Sequence, residues 1–105
     1  MMGNFDDIIK SSKPVLVDFS AAWCGPCKMM RPVLEKLKKK MGDRVRILKV
    51  DVDKNPSLSQ KYNIRSVPAL ILFINGQNKW TGSGVMSSDY LENVINSFSN
   101  IITYR

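Results

Sequence analysis

The feature that most constrains this chain is a pair of cysteines two residues apart, set between a strand pattern and a helix pattern. The segment Trp23-Cys24-Gly25-Pro26-Cys27-Lys28 holds the only two cysteines among 105 residues. The apolar run before it, Val15 to Phe19, predicts a buried strand. The apolar residues after it recur at helical spacing and predict a helix packed on a core: Met30, Val33, Leu34, Leu37 and Met41. The pair therefore lies where a strand ends and a helix begins.

This position favours the reactive form of the first cysteine. Cys24 falls at the helix N-terminus, among backbone N–H groups without intrahelical partners and at the positive end of the helix dipole. A thiolate is stabilised there, and the thiolate is the nucleophilic form of cysteine. We expect Cys24 to be exposed, with a pKa below the ordinary thiol value of about 8.5. We expect Cys27, which lies a turn inside the helix, to be more buried.

Other uses of two cysteines fit this sequence poorly. A structural zinc site takes four Cys or His ligands, and an iron–sulfur cluster usually takes four thiolates. The chain has two cysteines and no histidine. Covalent haem attachment needs a histidine after the second cysteine, where Lys28 stands. An inert structural disulfide would close a very short loop, and short loops gain least from closure. The pair therefore indicates redox chemistry, without a metal site.

The segment from Val17 to Met29 closely resembles the active-site segment of the thioredoxin family. The resemblance extends in register over about residues 5 to 100, through these further segments: Val50 to Pro56, Tyr62 to Pro68, Phe73 to Gly76, and Gly84. It implies the α/β thioredoxin fold, with a central mixed four-stranded sheet and about four flanking helices. The implied strand order is 45–50, 15–19, 69–74, 79–83. The family's first strand has no counterpart here, so strand 45–50 is expected at an edge.

The resemblance also assigns roles around the second cysteine. Asp18 interrupts an otherwise apolar strand, and burial generally raises the pKa of a carboxyl group. The resemblance implies that Asp18 accepts the proton of Cys27, and that Lys49 accompanies Asp18. Gly25 and Pro26, between the cysteines, are expected to tune the redox behaviour of the pair.

A substrate-binding surface follows from the same resemblance. It implies a cis peptide bond before Pro68, which faces the dithiol, and a backbone at Val67 that can pair with an extended substrate segment. Trp23 and Gly84 complete the predicted surface. Ala69 departs from the threonine that is common in the family at this position, which bears on substrate preference and not on the chemistry.

Length and charge bound the remaining possibilities. The chain suits a single domain over residues 1–105, and it has neither a long apolar run nor the layout of a signal peptide. The net charge of +7 attracts acidic partners. The positive residues cluster at a helix end (Lys36, Lys38, Lys39 and Lys40) without a nucleic-acid-binding motif. We therefore expect a cytoplasmic monomer that binds neither nucleic acid nor membranes.

The function predicted from the sequence is reduction of protein disulfides through a reversible Cys24–Cys27 dithiol, with no bound cofactor. The resemblance implies disulfide-containing substrate proteins, and an NADPH-dependent thioredoxin reductase that regenerates the dithiol. One alternative is a thiol oxidant or isomerase of an oxidising compartment, against which Gly25-Pro26 argues. The other is a non-catalytic binding or assembly subunit.

Local signals predict several element boundaries. Asn4 is expected to cap a first helix, and Pro56 to open a short helix over 57–62. The Asn75-Gly76 pair predicts a two-residue hairpin turn. Asp89 with Glu92 suggests a capping box before a final amphipathic helix formed by Leu91, Val94, Ile95, Phe98 and Ile102.

Overall fold

The computed structural model describes the backbone of residues 2–99 and the side chains from Asn4 to Ser99. Four helices and four strands follow one another along the chain: α1 (Met2–Ile9), β1 (Val15–Ser20), α2 (Gly25–Met41), β2 (Arg46–Asp51), α3 (Pro56–Lys61), β3 (Ala69–Ile74), β4 (Gln77–Ser83) and α4 (Ser88–Ser99). A short 3₁₀ turn, Gly42–Arg44, links α2 to β2. The predicted helical residue Ile102 lies outside the described residues.

The four strands form one mixed sheet in the order β2-β1-β3-β4. Strand β1 is parallel to β2 and antiparallel to β3, and β4 returns antiparallel to β3. This is the predicted strand order, and within residues 2–99 no strand covers the outer side of β2. The register sets Asp18 beside Lys49 on β2 and Leu70 on β3.

Helices cover both faces of the sheet, so its central strands are buried on two sides and read as continuous apolar runs. Alternate residues of β1 supply the two cores. Val15, Val17 and Phe19 pack towards α1 and α3. Leu16 packs with α2 and α4 on the opposite face. Asp18 is two residues from Leu16, and therefore points its carboxyl group towards the α2 side.

Two predicted helix caps are wrong. Helix α1 already begins at Met2, so Asn4 lies inside it and cannot take the non-helical backbone of a cap residue. Helix α4 begins at Ser88, and the Ser87 hydroxyl accepts the N–H of Tyr90 at 3.1 Å. Ser87 is therefore the cap, while the carboxylate of Asp89 bonds to Lys40 instead.

The predicted turns are confirmed. Asn75 and Gly76 have φ values of 56° and 79°, as a tight two-residue hairpin requires, and β4 begins directly after them. Pro56 is in the first turn of α3. Gly42, with φ of 56°, ends α2 and donates its N–H to the carbonyl of Lys38.

Part of the lysine-rich helix end has a structural use. The Lys38 ammonium donates to the carbonyls of Gly42 at 2.8 Å and Val45 at 2.7 Å, which fixes the turn into β2. Lys40 pairs with Asp89, and this hydrogen bond raises the pKa of Lys40 and lowers that of Asp89. Among the described helices, none has the length and apolar character needed to span a membrane.

Candidate active site

The two cysteines lie at the N-terminus of α2, as predicted, and are joined by a disulfide with their Cα atoms 5.3 Å apart. Cys24 is the N-cap residue, with extended backbone, and its Sγ accepts the N–H of Cys27 at 3.1 Å. Pro26 occupies the first turn of the helix, where a missing N–H costs no intrahelical bond. The helix end therefore presents a donor to the Cys24 sulfur, an arrangement that would stabilise a thiolate.

The prediction that Cys24 is exposed and Cys27 more buried is wrong for the disulfide form. The two residues are 4% and 8% exposed, respectively. Cys24 is covered because its sulfur lies against the loop before β3, with Sγ 3.7 Å from the carbonyl oxygen of Val67. Val52 packs on the same small cluster. Both cysteines are therefore buried, and they differ in the residues that surround them.

On the Cys24 side, the predicted substrate residues are adjacent to one another. The Val67–Pro68 peptide bond is cis, as the resemblance implied. Gly84 donates its N–H to the carbonyl of Pro68 at 2.9 Å and has φ of 86°. A Cβ at Gly84 or at Gly25 would meet no atom of the protein within 4 Å. These glycines therefore border open space into which another chain could move.

Trp23 projects from the same side, with 71% of its surface exposed. Its indole N–H donates to the carboxylate of Asp53 at 2.8 Å, which holds the ring in place. Asp53 was not predicted as a site residue. Trp23 and Val67 also border a small cavity of about 130 Å³. Trp23 and Gly84 are exposed, Val67 is half-buried and Pro68 is buried between them in the chain fold. We call these four residues the front of the disulfide.

On the other side of the disulfide, Cys27 lines a cavity of about 280 Å³ that also contains Asp18 and Lys49. We call this the back of the disulfide. Asp18 is 1% exposed, and its Oδ1 has no hydrogen-bond partner among the described residues. Burial raises the pKa of Asp18 to about 6, an effect that the positive charge of the neighbouring Lys49 partly opposes.

The back cavity therefore holds a carboxyl group whose proton affinity is suited to exchange near neutral pH. Arg31 and Asp51 also line this cavity, and the sequence alone did not mark either of them. Within residues 2–99, no three His, Cys, Asp or Glu side chains are placed to hold a metal ion. The chemistry that this arrangement supports is thiol–disulfide exchange between Cys24, Cys27 and an external sulfur.

Comparisons with known proteins agree with this geometry. The family model described as "Thioredoxin" matches residues 1–97. A thioredoxin of Acidithiobacillus ferridurans is 46% identical over 91 residues, which are 87% of this chain and 84% of the relative. A thioredoxin of Rickettsia felis is 42% identical over 90 residues, 86% of each chain.

Solved structures give the same result. A mutant thioredoxin from Halobacterium salinarum superposes with a TM-score of 0.86 at 36% identity, covering 95% of this chain and 87% of its own. The oxidised mitochondrial thioredoxin 3 from Saccharomyces cerevisiae gives 0.82 at 35% identity, covering 91% and 89%. The chain therefore belongs to the thioredoxin family, and Cys24–Cys27 is the redox pair of a thiol–disulfide oxidoreductase.

Proposed function

We propose that this protein works as a reductase of disulfide bonds in other proteins. The observation that carries the proposal is the difference between the two sulfurs. Cys24 contacts the front, at the Val67 carbonyl, whereas Cys27 lines the back cavity with Asp18. Each sulfur therefore has the neighbours that one step of a disulfide exchange needs.

The first step takes place at the front. In the reduced protein, the Cys24 thiolate attacks one sulfur of a substrate disulfide and forms a mixed disulfide, while the other substrate sulfur leaves as a thiolate. The N–H of Cys27, which bonds the Cys24 sulfur in the disulfide form, stabilises the attacking thiolate. An extended substrate segment would lie along Trp23, Val67, Pro68 and Gly84, with open space for it beside Gly84.

The second step takes place at the back. Cys27 gives its proton to the Asp18 carboxylate and attacks the Cys24 sulfur, which releases the second substrate thiolate and restores the Cys24–Cys27 disulfide. Two electrons pass from the dithiol to the substrate. Asp18 suits this role because its pKa of about 6 leaves it ionised at pH 7 but able to hold a proton briefly. Lys49 would adjust that proton affinity through its charge.

The cycle needs a source of electrons to restore the dithiol. We propose an NADPH-dependent thioredoxin reductase for this step, with the chain acting as a monomeric, single-domain electron carrier of the cytoplasm. Gly25 and Pro26 support the reducing direction, because this dipeptide is the one that the family resemblance associates with reductases. No cofactor other than the Cys24–Cys27 pair is required by the steps above.

Insulin reduction tests this function. The purified protein, a thioredoxin reductase and NADPH should precipitate the insulin B chain while NADPH is consumed, and a Cys24→Ser variant should do neither. A measured reduction potential near that of thioredoxin, about −270 mV, would support the reducing role. A potential near about −120 mV, with oxidation of a reduced substrate, would show an oxidant instead.

A further inference from the structure

The outer edge of β2 has backbone groups without partners. In a parallel pair, alternate residues of a strand bond to the same neighbouring strand. The N–H of Arg46 donates to the carbonyl of Pro14, just before β1, at 2.9 Å. The N–H of Val52 donates to the carbonyl of Ser20, the last residue of β1, at 2.8 Å. The residues between them at odd positions, Ile47 and Lys49 included, therefore turn their N–H and C=O groups away from the sheet.

Side chains of the protein close the two ends of this edge but not its middle. Lys38 donates to the carbonyl of Val45 at 2.7 Å. At the other end, the Asn55 amide donates to the carbonyl of Asp51 at 3.0 Å. Within residues 2–99, nothing pairs with the outward backbone groups of Ile47 and Lys49. The open part of the edge therefore lies between Val45 and Asp51, and it has room for a short added strand.

A groove runs beside this open edge, between β2 and α2. Its volume is about 530 Å³, and it is lined by Leu34 and Ile47 together with four cations and one carboxylate: Arg31, Lys38, Arg46, Lys49 and Glu35. The groove therefore has an apolar base and a strongly positive border. The whole chain carries a net charge of +7, which adds to the attraction for an anionic partner.

We propose that the outer edge of β2 is a docking site for an extended acidic segment of a partner protein, which adds to the sheet as a further strand. Its backbone would pair with Ile47 and Lys49. An apolar side chain would cover Leu34, and carboxylates two positions before and after it, on the same face of the added strand, would face Arg31 and Arg46. A second copy of this chain fits poorly, because two β2 edges side by side would bring their cations together. The proposed site is separate from the front of the disulfide.

A peptide titration followed by ¹⁵N NMR tests the proposal. The probe is a capped peptide of about six residues, an ordinary strand length, with glutamate, valine and glutamate at alternate positions on one face and threonine between them. We expect saturable shifts of the amides of Ile47 and Lys49, and slower hydrogen exchange at both when the peptide is bound. The same peptide with lysine in place of glutamate should not bind. An acidic peptide N-methylated along its pairing edge should bind at least about tenfold more weakly, because it loses its backbone donors.

A charge-reversal pair gives the matched control. Arg46→Glu should weaken peptide binding by about tenfold, since an attraction becomes a repulsion of similar size. Lys79→Glu makes the same charge change on β4, at the opposite edge of the sheet, and should leave binding almost unchanged. Insulin reduction should be the same in both variants, because neither residue belongs to the front or the back of the disulfide.

Several outcomes would overturn the proposal. Equal binding of the N-methylated peptide would mean attraction by charge without strand addition. Equal weakening by Arg46→Glu and Lys79→Glu would mean that net charge alone attracts the peptide. In the free protein, amide hydrogen exchange at Ile47 and Lys49 as slow as in β3 would mean that another segment or a second copy already pairs with this edge. Sedimentation equilibrium would show which of the two it is.

Discussion

The two sides of the Cys24–Cys27 disulfide differ in almost every physical respect. The front presents Trp23, 71% exposed, and a glycine bordering open space. The back encloses Asp18, 1% exposed, in a cavity that it shares with Cys27. A disulfide by itself is nearly symmetric, so the fold supplies the difference. Cys24 lies against Val67 at the front and Cys27 lines the cavity that holds Asp18, and the proposed roles of the two sulfurs rest on this difference.

This contrast explains why the site tolerates a costly group. A buried carboxylate without a hydrogen-bond partner on one oxygen is unfavourable, and the elevated pKa of Asp18 reports that cost. At the front, the Asp53 carboxylate is exposed and bonded to Trp23. The protein thus has one carboxylate that orients a side chain and another that we propose moves a proton.

The largest effect is expected from Asp18→Asn. The amide keeps the shape of the carboxyl group but cannot accept the Cys27 proton, so disulfide exchange should slow by about 10²-fold. The variant should also be more stable at pH 7, by up to about 3 kcal/mol, because a buried charge is removed. Stopped-flow exchange rates and urea unfolding measure the two effects. A variant that keeps full activity and loses stability would show a purely structural Asp18.

The second effect is the pH dependence of stability. The pKa of Asp18 is raised from 3.8 to about 6 in the folded protein, so the folded state binds more protons than the unfolded state between these values. Stability contributed by Asp18 should therefore fall as pH rises from below about 4 to above about 6, by roughly 3 kcal/mol in total, of which roughly 2 kcal/mol is lost between pH 4 and 6.

The contribution of Asp18 has to be measured as a difference in stability between two proteins, because other groups also make stability depend on pH. Asp89 has a lowered pKa because of its bond to Lys40, and such groups make stability rise with pH over a more acidic range. Subtracting the urea-unfolding profile of Asp18→Asn from that of the wild type isolates the contribution of Asp18. A flat difference between pH 4 and 6 would contradict the raised pKa.

A smaller effect is expected at the front from Gly84→Ala. The φ of 86° is unfavourable for alanine by roughly 1–2 kcal/mol, and the added methyl group would project into the proposed substrate surface. We expect lower stability and a higher KM for insulin. Gly25→Ala is the matched control for stability. A methyl group at Gly25 would also meet open space, but Gly25 lies in helical backbone, where alanine should not lower the stability. Equal losses in the two variants would remove the backbone explanation.

The smallest effect is expected from Asp53→Asn. An uncharged acceptor weakens the indole hydrogen bond, at a cost of about 1 kcal/mol or less at this exposed site. Trp23 should then become more mobile, visible as lower fluorescence anisotropy against the background of Trp80. Unlike Asp18→Asn, this variant should carry out disulfide exchange at the wild-type rate. A hundredfold loss of that rate in Asp53→Asn would contradict the proposed division between front and back.

Individual elements of the sheet could be predicted because their signals are local. Two-sided burial makes Val15 to Phe19 a continuous apolar run, and Asn75-Gly76 demands a tight turn, whereas the strand order and the roles proposed for most site residues came from the family resemblance. Asp18 was marked by its charge within that run.

Features set by distant parts of the chain were missed. Trp23 and Asp53 are 30 positions apart, and no local pattern couples them. Cys24 is covered by Val67, 43 positions away, so its burial could not be derived from its own helix. The predicted cap at Asp89 failed for a local reason, because α4 begins at Ser88 and Ser87 caps it, which places Asp89 inside the helix. Long-range partners decided the first two of these cases.

The most direct test of the proposed asymmetry is intermediate trapping with two variants. Cys27→Ser leaves the front nucleophile intact but removes the resolving thiol, and a serine hydroxyl is a far poorer nucleophile towards sulfur. It should accumulate mixed disulfides with substrate proteins, seen on non-reducing gels and lost on adding dithiothreitol. Cys24→Ser should give few or none, because Cys27 faces the back cavity. Equal trapping by both variants would contradict the assignment of one sulfur to each side.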